Sequence, residues 1–165
     1  MMRWLRHLFA RSSRATFPAA SLQRISAAVA EGELRHHGEV CFAVEPALEL
    51  PALWARQDAR ERAQQVFAQL RVWDTAANNG VLIYLLLADH RIEIVADRGL
   101  AGLVSDAQWR GVCQQMEERL KAGEAEAAAI AGIRAVSNLL AEHFPRTRGD
   151  ADEDTNELPD APHLL

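Results

Sequence analysis

Asp74, Asn79, Asp97, Asp106 and Glu45 carry the side-chain oxygens from which this sequence could build a site for a hard divalent cation. No short motif joins them, so a fold would have to bring them together. Asp74 opens the run Asp74-Thr75-Ala76-Ala77-Asn78-Asn79-Gly80, which is loop chemistry closing on an Asn-Gly. Asp97 ends an alternating apolar run, Asp106 falls in the first turn of an expected helix, and Glu45 closes the run EVCFAVE. Arg98 and Gly99 follow Asp97 directly, and Arg98 could steady negative charge developing on a phosphoryl group. Each residue also has a plainer reading. Asp106 suits a helix N-terminus, Asp74 and Asn79 are good turn formers, and Asp97 could pair with Arg98 or Arg91.

The elements that would position these residues are legible in the patterning. A helix is expected from Pro18 to Glu31, with Leu22, Ile25, Ala28 and Val29 on one face. Glu39 to Glu45 is apolar at both alternating sets, as a strand covered on two faces would be. A second helix is expected over Asp58–Trp73. Val81–Leu87 is a buried central strand, Ala88–Arg91 a turn, and Ile92–Asp97 an antiparallel hairpin partner. Ser105 and Gln108 form a capping box that opens a third helix, and a fourth runs on to about Phe144 before Pro145. The order α-β-α-β-β-α-α implies an α/β sandwich, with helices on both faces of a small mixed sheet. The hairpin places Asp74, Asn78 and Asn79 on the same sheet edge as Asp97, and Asp106 returns to it. Glu45 would join them if the first strand runs parallel to the third.

Other chemistries are absent or poorly supported. The chain lacks a phosphate-cradling G-x-x-x-x-G-K-[ST], an H-E-x-x-H, a C-x-x-C and a G-x-S-x-G. Cys113 and Arg119 have the C-x5-R spacing of thiol phosphatases, but they fall inside a helix, where no N–H groups are free to bind phosphate. His36, His37, His90 and His143 are scattered and are expected to face solvent. No organic cofactor is indicated.

The 165 residues are enough for one domain with its own core, and the formal net charge is −5. An acidic body argues against nucleic-acid binding. The two cysteines, Cys41 and Cys113, read as buried free thiols in a reducing compartment. Charge is unevenly placed. Residues 1–17 hold Arg3, Arg6, Arg11 and Arg14 and no acid, whereas 145–165 hold an acidic run expected to be disordered. No stretch is long and apolar enough to span a bilayer, and the first residues do not read as a secretory signal. The N-terminal segment reads either as a frayed leader or as a weak contact with an anionic membrane surface.

The run NNGVLIYLLLADHRIEIVADRGLAGLVSDAQW resembles the core of the TPM domain family, which includes a thylakoid-lumen acid phosphatase, a photosystem-repair protein and a modulator of acetylcholine-receptor channels. Asn79-Gly80 before the apolar strand carries the likeness, with the ADHRIEI hairpin, Gly99-Leu100, Gly102-Leu103 and Asp106. It covers residues 18–144. The resemblance implies a three-layer α/β/α sandwich. In some members it also implies phosphatase activity or Ca²⁺ or Mg²⁺ binding in the loops at one sheet edge. Exported relatives read Gly-x-Gly-Leu-Glu after the third strand, but here Asp97 stands at the first Gly and Ala101 at the Glu. The lost carboxylate points to a binding or assembly module with a protein partner, in the cytoplasm or at the inner membrane face. The alternative is a divalent-metal-dependent acid phosphatase.

Overall fold

A computed structural model describes residues 3–147 and 156–165. Its sheet has the order β3-β2-β1-β4, formed by β1 (Glu39–Glu45), β2 (Gly80–Leu86), β3 (Arg91–Ala96) and β4 (His163–Leu164). β1 and β2 are buried along their whole lengths. Successive side chains point to opposite faces, so a strand that is apolar at every position needs a cover on both sides. Val40, Phe42, Val44, Val81, Ile83 and Leu85 face one cover, made of α3 (Ala19–Glu33), α6 (Asp106–Lys121) and α7 (Ala125–His143). Cys41, Ala43, Leu82, Tyr84 and Leu86 face the other, α5 (Ala59–Gln69) with Leu48. The chain is thus the α/β sandwich expected from its sequence, and the Ser105–Gln108 capping box is formed at the start of α6.

Register decides which loops meet. β1 runs parallel to β2, with Glu39 opposite Gly80 and Glu45 opposite Leu86. β3 runs antiparallel to β2, with Ala96 opposite Val81 and Arg91 opposite Leu86. One end of the sheet therefore gathers the starts of β1 and β2 and the end of β3. This is called the loop end below. The other, the hairpin end, gathers the ends of β1 and β2 and the 87–90 turn.

Both chain ends pack onto this body. Of residues 1–17, read from sequence as a separate segment, 1–2 lie outside the described residues; the rest form α1 (Arg3–Leu8) and α2 (Ser13–Thr16) and finish in Phe17, which is fully buried and sits edge-on to Phe42. His7 is buried at the hairpin end, where its Nδ1 accepts the Leu48 N–H at 2.9 Å. A short helix missed in the sequence, α4 (Leu50–Trp54), follows that contact.

Disorder over 145–165 does not hold for 156–165. β4 lies parallel to β1, with Ala43 opposite His163, and Leu158 is buried against the α5 face. The acidic composition suggested a solvated tail. A single buried leucine and the open edge of β1 outweigh it. Residues 148–155 lie outside the described residues.

Candidate functional site

The loop between α5 and β2 is held against the turn after β3 by backbone contacts. The Asn78 carbonyl accepts the Gly99 N–H at 2.8 Å, and the Gly80 carbonyl accepts the Asp97 N–H at 2.9 Å. Two of the glycines that carry the family likeness are needed for this close approach. A Cβ on Gly80 would lie 2.0 Å from the Val72 carbonyl oxygen, and one on Gly99 would lie 2.4 Å from that of Asn78. Asn78 itself sits in the left-handed region at φ 52°, which asparagine tolerates better than most residues.

The loop end brings Asn79, Asp97 and Arg98 together but does not join the expected carboxylates. Asp97 Oδ1 accepts the Arg98 N–H at 2.7 Å, and Arg98 Nε donates to Asn78 Oδ1 at 3.0 Å. Asp97 is thus a turn cap, and Arg98 is held by Asn78. Asp74 and Asp106 are both exposed. Asn79 is buried, its backbone N–H donating to Thr75 Oγ1 at 3.1 Å and its side-chain amide to the His37 carbonyl at 2.9 Å.

Glu45 lies elsewhere. Because β1 is parallel to β2 and not to β3, Glu45 belongs to the hairpin end. There Arg62 donates to both its carboxylate oxygens, at 2.8 and 3.0 Å, and the Tyr84 hydroxyl donates at 2.6 Å. Burial, together with the carboxylate beside the phenol, pushes the Tyr84 hydroxyl's pKa well above the usual range. Arg91 is at the hairpin end too, beside Glu93 at 3.3 Å and Glu117 at 3.5 Å, so it cannot serve Asp97.

The residue at the loop end that sequence reading missed is Glu39. It is buried, and its two oxygens accept the N–H groups of Glu157 and Leu158 at 3.2 and 3.1 Å. Glu157 in turn accepts the Ala76 N–H at 2.9 Å. The signal was a glutamate at the head of an otherwise apolar strand, which needs a buried partner; that partner came from the segment read as disordered. Beside it, burial pushes the Glu33 carboxyl up to about 8, with Glu39 and Asp160 adding to the shift.

The histidines do not all face solvent. His36 is fully buried, and its Nδ1 lies 2.9 Å from the Gly38 carbonyl, to which it donates. Burial lowers its pKa to about 4.

As a cation site the loop end fits only in part. Two buried oxygens there, Asn79 Oδ1 and Asp97 Oδ2, have no hydrogen-bond partner among the described residues, which is the state of oxygens that could accept a cation. However, among the described residues no three His, Cys, Asp or Glu side chains are grouped to hold a metal. The five-residue ligand set expected from sequence does not fit as a cage.

A small mixed sheet between helical layers, with one end built from an Asn-Gly loop and the turn after β3, defines an α/β/α domain. A TPM domain profile matches residues 12–139, and the chain belongs to the TPM domain family. It is also similar to the BA42 protein of the psychrophilic bacterium Bizionia argentinensis, whose structure was solved by NMR. That likeness has a TM-score of 0.75 and 28% identity, over 89% of this chain and 94% of the other. No curated protein matches the chain. Among the described residues, no helix is long and apolar enough to cross a membrane.

Proposed function

We propose that this protein is a TPM-domain binding module and not a hydrolase, and that its loop end recognises a protein partner in the cytoplasm or at the inner membrane face. The observation that carries this reading is the exposure of two large apolar side chains at that end, Trp73 at 50% and Leu103 at 44%. They flank a backbone locked by the Asn78–Gly99 and Gly80–Asp97 contacts. A rigid surface with an aromatic anchor suits recognition, because little ordering is left to be done on binding. The free cysteines, Cys41 and Cys113, suit a reducing compartment.

The test is a phosphatase assay with p-nitrophenyl phosphate from pH 4 to 9, with Ca²⁺, Mg²⁺ or Mn²⁺. The expected result is turnover no greater than the metal-only control. Metal-dependent turnover that disappears in Asp97→Ala or Asp106→Ala, with the fold retained, would sink the reading.

The second reading is a divalent-metal-dependent acid phosphatase, and the unpartnered Asn79 Oδ1 and Asp97 Oδ2 favour it. On that reading, a Ca²⁺ or Mg²⁺ titration followed by amide NMR gives saturable shifts confined to residues 74–80 and 97–106. Their absence at millimolar metal removes it.

A further inference from the structure

The hairpin end carries a second exposed surface, made from two helices that are far apart in sequence. Of the exposed large apolar side chains, Trp4, Leu8 and Phe9 come from α1 and the residue after it, and Leu50 and Trp54 from α4. Trp54 is 81% exposed and Phe9 76%. α1 is tied to both flanks of α4: His7 accepts the N–H of Leu48, before α4, and Arg3 donates to the carbonyl of Gln57, after it. The two short helices therefore lie alongside each other in opposite directions. In α1, Arg3 and His7 lie one turn apart and face the body. Trp4 and Leu8, also one turn apart, form the neighbouring stripe.

The charge of this surface is basic. Asp89 is occupied by Arg3 at 2.8 Å and Arg6 at 3.4 Å. Arg6, Arg11, Arg14 and Arg56 are exposed, against the exposed acids Glu49 and Asp58 on the two flanks of α4 and Glu124, which lines a pocket with Arg11. Behind Phe9 a cavity of about 390 Å³ has apolar walls from Leu87, Leu120 and Ala125, with Arg6 and Arg11 also lining it. Tryptophans and leucines beside arginines match the interface of an anionic bilayer, where apolar side chains enter the headgroup boundary and guanidinium groups meet lipid phosphates.

We infer that α1 and α4 together form a docking face for an anionic lipid bilayer. The inference rests on the reading of residues 1–17 as a membrane-surface segment and extends it to α4. Since the hairpin end and the loop end are opposite ends of one sheet, docking directs the loop end away from the lipid, toward the aqueous phase.

The experiment uses the full chain in three single-tryptophan forms, keeping Trp4, Trp54 or Trp73 and replacing the other tryptophans with Phe. Each is mixed with phosphatidylglycerol vesicles containing bromolipid, and with phosphatidylcholine vesicles as the control. The expected result is quenching of Trp4 and Trp54, none of Trp73, loss of quenching at high salt, and little with phosphatidylcholine. In the otherwise native chain, the pair Leu50→Ala and Trp54→Ala is expected to weaken vesicle binding about tenfold. Quenching of Trp4 alone would overturn the two-helix face while sparing the reading of residues 1–17. No binding to either vesicle, or concentration-dependent self-association through this surface without lipid binding, would overturn both. Equal quenching of Trp73 would overturn the orientation and with it the assigned face.

Discussion

Gly80 shows how one residue type can be required by geometry alone. Its neighbour across the gap is a backbone carbonyl, that of Val72, which cannot swing away as a side-chain tip could. Gly80→Ala is therefore expected to cost about 3 kcal/mol, at the upper end for overpacking, because the α5–β2 loop must move bodily. Urea unfolding of the variant checks this; a cost below about 1 kcal/mol would mean that the loop is not held as described. At this scale the sequence was partly readable. Asn79-Gly80 stood out as loop chemistry and Gly99 as part of the family likeness, and the structure gives the reason in the close approach of each to a backbone carbonyl, that of Val72 and that of Asn78. Asp97 stood out for its charge, but nothing in a linear sequence says that Oδ1 would cap the next N–H while Oδ2 stays buried and unpartnered. Glu45 was misplaced for a topological reason: an apolar strand has no visible direction, and only pairing with β2 fixes which end it presents.

At the scale of elements, the long periodic segments were legible because their apolar stripes are set by the core they must cover. α3, α5, α6 and α7 lie within a few residues of their expected spans, and the β2–β3 hairpin is where its alternation placed it. The short pieces escaped because their stability comes from tertiary contacts. α1 is fixed by His7 and Asp89, and β4 by the edge of β1 together with Leu158 and Glu39. Leu158→Ala tests the last point. The side chain is 7% exposed and packs beside Leu82 and Tyr84's side of the sheet. The expected cost is about 2 kcal/mol, the low end for a buried leucine because the site lies at the sheet's margin. Hydrogen exchange should also quicken at Leu165, whose N–H is held by the Val44 carbonyl at 2.9 Å, while β2 stays protected. Unchanged exchange at Leu165 would show that β4 is held without this anchor.

For the whole molecule, a buried histidine and a half-buried glutamate near the head of β1 pull stability in opposite directions as pH changes. His36 takes up a proton near its ordinary value of 6.5 when unfolded but only near 4 when folded, because burial opposes its charge. The unfolded chain then binds more protons between these values, so stability falls as pH drops from 6.5 toward 4, by about 3 kcal/mol in full. Glu33 does the reverse. Unfolded it releases its proton near 4.5, but folded it keeps it to about 8, chiefly because it is buried and also because Glu39 and Asp160 face it. Here the folded chain binds the extra proton, so stability falls as pH rises from 4.5 toward 8. Between 4.5 and 6.5 the two slopes oppose each other, and the urea midpoint is expected to be flattest there, with a fall on either side. Glu33→Gln keeps a side-chain oxygen for the Val40 N–H, which Glu33 now accepts at 3.1 Å, and removes the charge. The variant should lose the decline above pH 6.5 and keep the one below 4.5. If its alkaline limb matches that of the native chain, Glu33 is not the group that titrates, and the docked 156–165 segment does not depend on a proton held at this carboxyl.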